Sequence, residues 1–195
     1  MAFIDPVILS GRHVRLEPLA RDHEAALSLA VQDGELWKLW VTAVPDPAAM
    51  ASYIDLALAM REKQGAMPFV IRDLQSDKLV GCTRFCNVEA IHRRLEIGYT
   101  WLAASAQRSA INTETKFLLL QHAFEQLHCI AVELRTNWMN QQSRAAITRL
   151  GAKQDGILRQ HQRGPDGLLR DTVVFSIIDS EWPVVRRHLQ SKLER

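Results

Sequence analysis

Two neighbouring stretches decide the reading of this chain. Glu96-Ile97-Gly98-Tyr99-Thr100-Trp101-Leu102 is followed, after Ala103–Ala106, by Gln107-Arg108-Ser109-Ala110-Ile111-Asn112. The first reads as a strand, the second as a loop that opens a helix at Asn112. Free N–H groups and the dipole at a helix N-terminus attract phosphate. Arg108 adds a cation suited to a pyrophosphate, and the small side chains of Ser109 and Ala110 admit a ligand to the backbone. On these residues alone, an ordinary strand–helix turn with a solvated arginine stays open. Glu96 is a carboxylate in an otherwise apolar strand. It either faces a cleft, where burial raises its pKa, or is solvated on an open face.

Outward from this segment the chain is a succession of short elements. Val14–Leu19 alternates apolar and polar residues, as a half-buried strand does. Helices are expected over Asp22–Asp33 and from Pro47 to Lys63, the second stopped by Gly65. Between them Leu36–Trp40 reads as an irregular aromatic connection. Strands are expected at Pro68–Arg72, Leu79–Phe85 and Leu95–Leu102, with a turn at Gln75–Asp77. Then come a helix over Asn112–Leu127, a strand at Ile130–Arg135 and a helix over Asn140–Leu150. Late strands near Ile157–His161 and Thr172–Ile177 flank the turn Gly164-Pro165-Asp166-Gly167, and a closing helix covers Ser180–Leu193. Short links make the first three sheet strands antiparallel. The strand–helix–strand from Glu96 to Arg135 is expected to be a right-handed parallel crossover. The fold class is α+β: a central mixed, mostly antiparallel sheet with helices on both faces, in one domain over residues 1–195.

Composition narrows the function classes. The 195 residues are 47% hydrophobic and 24% charged, with a net charge of +2. That supports a core without disulfides or metal. The halves either side of residue 100 carry −2 and +4, which is far from a nucleic-acid footprint. No apolar run reaches the roughly 20 residues of a membrane span. Cys82, Cys86 and Cys129 lack zinc spacing, as do the histidines, so no metal is expected. Reduced thiols and the lack of a signal peptide point to the cytoplasm.

A second cluster, Asn137–Arg144, ends at Leu150-Gly151. Asn140 is a good N-cap, either for that purpose alone or also for a ligand. Ser143 lies one turn inside the helix, where a hydroxyl is ordinarily just solvated.

From Glu96 to Trp182 the chain resembles the GNAT acetyltransferase superfamily, in its branch of ribosomal-protein alanine N-acetyltransferases (RimJ/RimL-like). The family's motifs stand here as Glu96–Leu102, Gln107–Asn112, Asn140–Ser143, Leu150-Gly151, Gly156–Arg159, Arg170–Ser176 and Glu181-Trp182; Arg12–Leu19 is similar to its opening strand. Ala110 stands where the family has a loop glycine, and Asn112 at its last small residue, where it can cap the helix. The resemblance implies the GNAT fold and acetyl transfer from acetyl-CoA to a primary amine, on a protein N-terminus or a small molecule, by direct transfer in a ternary complex. It implies Glu96 as base, and Trp101 and Leu102 as partners of the pantetheine amides. Arg108, Ser109, Ala110, Ile111 and Asn112 then hold the pyrophosphate, and Gln107 is a further coenzyme-binding residue. Asn140 touches the pantetheine or acetyl end, and Ser143 stands where relatives carry a tyrosine acid. Trp37, Trp40 and Tyr53 either wall the acceptor site or fill core gaps. A non-catalytic acyl-CoA-binding or regulatory module on the same fold is the competing expectation. Relatives in this branch often pair, and the edges expected at Leu79–Phe85 and the late strands point to a homodimer.

Overall fold

The computed structural model describes residues 3–164 and 167–194. Eight strands form one sheet in the order β1-β2-β3-β4-β5-β6-β8-β7. They are β1 (Leu9–Ser10), β2 (Val14–Pro18), β3 (Met67–Asp73), β4 (Lys78–Glu89), β5 (Arg94–Leu102), β6 (Ala131–Asn137), β7 (Lys153–Arg163) and β8 (Leu169–Ile178). Every neighbouring pair is antiparallel except β5–β6. The parallel pair is the one expected across the Glu96–Arg135 segment. The helices are α1 (Glu24–Gln32), α2 (Met50–Gln64), α3 (Ala110–Gln121), α4 (Gln141–Arg149) and α5 (Trp182–Leu193).

Side-chain alternation along the strands builds two cores. In β3, Phe69 and Ile71 join α3 and α5 residues such as Leu119, Leu120, Val185 and Leu189. Val70, between them, joins Leu27 and Val31 of α1, Ile54 and Ala57 of α2, and Trp101. Successive strand residues point to opposite faces, so α1 and α2 cover one face and α3 and α5 the other.

Several expectations need correction. The helix expected from Asn112 begins two residues earlier, because Ser109 is its cap: its side chain accepts from Ile111 N at 3.3 Å. Asn112 is therefore inside the helix and does not cap it. That helix also ends earlier, passing at His122–Gln126 into a single π turn. Leu79–Phe85 is not an edge, since β3 and β5 flank it; the sheet's edges are β1 and β7. Leu9–Ser10, too short to show a periodicity, forms a strand that the sequence pattern did not disclose. Of the expected turn between β7 and β8, Pro165 and Asp166 lie outside the described residues; Gly167 N donates to Gly164 O at 2.9 Å.

Candidate active site

Strand β5 changes partners along its length. Arg94, Leu95 and Glu96 pair with Ala131, Val132 and Glu133 of β6, and there the pairing stops. Beyond Glu133, β6 continues to Asn137 on β8 alone. The β5 edge from Ile97 to Leu102 thus faces no strand among the described residues, and the sheet opens as a V. On its other side β5 stays on β4, but the register shifts between Cys82 and Arg84. This is a bulge, with Tyr99 in the left-handed region at φ 52°. Bulges re-aim side chains beside functional sites.

The end of β5 runs into α3 at the mouth of the V. Leu102 O accepts from Gln107 Nε2 at 2.9 Å, which folds the loop back on the strand. Arg108 is exposed and takes φ 56°, so it absorbs the left-handed turn that a glycine would ordinarily supply. Ala110 is the first helical residue and keeps an ordinary negative φ, so its Cβ introduces no backbone strain. The α3 N-terminus, with Arg108 beside it, is the arrangement that suits a phosphate.

The α4 N-terminus meets the same loop. Gln142 Nε2 donates to Gln107 Oε1 at 3.2 Å. Asn140 caps α4, its Oδ1 accepting from Ser143 N at 3.0 Å. Ser143 is half-buried. The expected ligand-facing residues on β5, α3 and α4 are therefore brought around one opening.

Glu96 sits where β5 and β6 part, and is 8% exposed. Its Oε2 accepts from Asn87 Nδ2 at 2.7 Å and lies 3.4 Å from Arg135 Nε. Arg135 is shared with Glu133, at 2.7 Å, and Glu133 also pairs with Arg94. Oε1 has no hydrogen-bond partner among the described residues. A Cβ on Gly98 would stand 2.9 Å from Oε1 and 3.0 Å from Cys86 Sγ, so a larger residue there would push the carboxyl or the thiol aside. Burial pushes the Glu96 carboxyl above its usual range; Asn87 and Arg135 pull it back in part. A carboxylate raised toward neutrality is better matched to taking a proton at physiological pH.

The three aromatic residues expected at the acceptor site separate. Trp40 is 69% exposed. Trp37 packs against the core under α1 and α2. Tyr53 of α2 packs beside β4 and β5, and there it meets residues the sequence reading overlooked. Its ring lies 5.3 Å from the guanidinium carbon of Arg84, and the Tyr99 ring is 4.0 Å away. Arg84 is 1% exposed. The signal was present in Leu79–Phe85, as an arginine inside an otherwise apolar strand. On the opposite face Lys116 of α3 donates to Thr100 Oγ1, which is 2.8 Å from Thr83 Oγ1. Burial lowers the Lys116 ammonium to about 7. All three cysteines are free and buried; burial pushes the thiols of Cys82 and Cys86 up to about 12 and that of Cys129 to about 11. These are poor nucleophiles. No helix among the described residues is long and apolar enough to cross a membrane.

Residues 13–153 match the model of the acetyltransferase (GNAT) domain family. YdaF of Bacillus subtilis (strain 168), which carries the provisional name of a ribosomal N-acetyltransferase, is 27% identical over 169 residues, covering 86% of this chain and 90% of that protein. A GCN5-related N-acetyltransferase from Brucella melitensis is 30% identical, with a TM-score of 0.86 over 97% of this chain and 86% of that one. The Mycobacterium smegmatis RimJ structure, a complex with CoA-disulfide, shares the fold at 23% identity and a TM-score of 0.79, over 96% of this chain and 95% of that one.

Proposed function

The chain belongs to the GNAT acetyltransferase family, and from that premise we propose that it moves an acetyl group from acetyl-CoA to a primary amine by direct transfer. The observation that carries the proposal is the V between β5 and β6, with Glu96 at its apex and the α3 N-terminus at its mouth. Bound acetyl-CoA supplies an acetyl group on a thioester, with a thiolate as leaving group. The free β5 edge beyond Glu96 offers N–H and C=O groups near Trp101 and Leu102 to the pantetheine amides, as an added strand would take them. Gln107 also reaches Leu102 O, so the strand end and the loop are held together. The backbone from Ser109 to Asn112 and the Arg108 guanidinium hold the pyrophosphate. Asn140 and Ser143 lie at the start of α4, and to the Ser143 hydroxyl falls the role of donor to the leaving sulfur.

Glu96 takes the proton. A primary amine with a pKa near 10 is almost wholly protonated at neutral pH and cannot attack a carbonyl carbon. The unpartnered Oε1 accepts the ammonium proton, directly or through water. The freed nitrogen pair forms the C–N bond as the C–S bond breaks, and the second nitrogen proton passes to the departing thiolate, leaving the amide and the coenzyme A thiol. The RimJ/RimL-like relatives make a protein N-terminal amine one candidate acceptor, beside small-molecule amines.

Glu96→Gln tests this role. The expected result is an intact fold, unchanged acetyl-CoA affinity, and kcat/KM lower by roughly 10² to 10⁴ near neutral pH. The raised carboxyl places the acidic limb of the wild-type pH–rate profile above the ordinary glutamate range. The variant lacks that limb, and its deficit shrinks as pH rises and more amine is neutral. Parallel profiles for the two proteins remove Glu96 as base. Binding of acetyl-CoA without turnover of any amine favours the non-catalytic module.

A further inference from the structure

Arg84 is a buried cation without an anion. Its Nη1 lies 3.1 Å from Met60 Sδ, its planar head contacts the Tyr53 and Tyr99 rings, and its Nε has no hydrogen-bond partner among the described residues. No carboxylate among the described residues pairs with it. A guanidinium cannot escape this cost by losing its proton, and a buried charge is ordinarily paired. Arg170 of β8 repeats the pattern more weakly. Its Nε is also buried without a partner, and burial lowers its pKa while the neighbouring Tyr99 opposes this. The Tyr53 hydroxyl lies close to Trp101 Nε1 and to Arg84, but neither the hydroxyl nor the indole N–H makes a well-formed hydrogen bond, and neither brings a negative charge to the guanidinium.

The position matters as much as the deficit. Arg84 pairs in register with Gly98, and Cys86 with Glu96, so Arg84 and Glu96 are diagonal neighbours two register positions apart on adjacent strands. Two residues along a strand span about 7 Å, which is within reach of one small acceptor. We infer that the acceptor is a primary amine that also carries a carboxylate, which Arg84 binds with the help of Arg170 while Glu96 takes the amine proton. This rests on the acetyl-transfer reading and names its substrate class. A single negative charge is favoured over a phosphate dianion, because Glu96 lies beside the same site and would repel the larger charge. Tyr99 is half-exposed and covers the outer side of the guanidinium, so the incoming carboxylate displaces its ring or the adaptable Met60 side chain. Two sources fit: a free amino acid, or a peptide with an acidic side chain next to its N-terminus.

The test is a matched panel acetylated by wild type, Arg84→Gln and Arg170→Gln. One arm compares a free amino acid with its carboxamide; the other compares peptides that differ only in aspartate against asparagine at the second position. Acetyl-CoA binding and a thermal melt report folding of each variant. The expected wild-type preference for the carboxylate is about 10- to 100-fold in kcat/KM, expressed mainly in KM, the range of a hydrogen bond to a charged group. In Arg84→Gln the ratio falls close to one; in Arg170→Gln it falls part of the way, which keeps the test alive if the first variant does not fold. The arm that shows the preference identifies the source. Equal turnover of charged and neutral acceptors by wild type overturns the inference and leaves acetyl transfer standing, as does a preference that survives both substitutions. If acetyl-CoA binds and no amine in the panel is acetylated, the acetyl-transfer reading fails, and the inference with it.

Discussion

Two charged side chains are buried almost equally deeply in this molecule and are treated in opposite ways. Glu114, on α3, is 5% exposed and accepts from three consecutive backbone N–H groups, those of Arg12, His13 and Val14, at 2.6–2.8 Å. It ties the β1–β2 turn to the helix, and a Cβ on Gly11 would stand 2.4 Å from its carboxyl carbon. Arg84, on the α1–α2 side of the sheet, has two aromatic rings, a thioether and no anion. The first charge is satisfied by the chain's own backbone and is architecture. The second is left incomplete beside Glu96, and an incomplete buried charge is what a ligand site looks like before its ligand arrives. The contrast therefore separates residues that hold the fold from those that serve a substrate.

That separation can be broken by measurement. Glu114→Ala leaves three backbone N–H groups without their acceptor, one buried and two partly buried, at roughly 1–3 kcal/mol each, with the partly buried pair near the lower end because water reaches them. We expect a loss of about 3–6 kcal/mol in urea unfolding, with the rate per folded molecule unchanged. Lys116→Met is next. The folded lysine titrates near 7 and the unfolded one near 10.5, so the unfolded chain binds more protons across that window and wild-type stability rises with pH through it. The methionine variant is then more stable than wild type by a few kcal/mol at pH 6, with the gain gone by about pH 10.5. Melts at both pH values check this, and a constant offset contradicts it. Arg108→Ala should weaken acetyl-CoA binding about tenfold at low ionic strength and less at high salt; calorimetry at two salt concentrations decides. The smallest effect is the sharpest. Arg84→Met should leave stability within about 1 kcal/mol, because lost ring contacts are offset by relief from an unpaired buried charge. If Arg84→Met costs as much as Glu114→Ala, Arg84 is architecture too.

The element order, the single parallel pair and the two helical faces were legible, because they follow from periodicities and link lengths within single segments. The opening of the sheet was legible only through the residues that accompany it: Glu96, Gln107–Asn112 and Asn140 stand together because a strand, a loop and a distant helix converge. What stayed hidden depends on partners far along the chain. The pairing of Glu114 with residues 12–14 leaves no local trace. Ser109 as the true α3 cap was masked by Asn112, an equally good capping residue three positions later. Tyr99 at φ 52° is a bulge, which arises from the β4–β5 register and not from the composition of β5. Trp40 and Trp37 looked like Tyr53 by residue type, yet only Tyr53 is carried by α2 to the strands beside Arg84.

The central claim is that the opened sheet with Glu96 at its apex carries out acetyl transfer. Its most direct test is to incubate the protein with acetyl-CoA and the matched amines, and to follow released coenzyme A thiol and N-acetylated amine together by mass spectrometry. The account predicts that both appear in equal amounts, fastest with carboxylate-bearing amines, and that Glu96→Gln slows both by the same factor. Thiol release without N-acetylated product, or tight acetyl-CoA binding with neither, would contradict it.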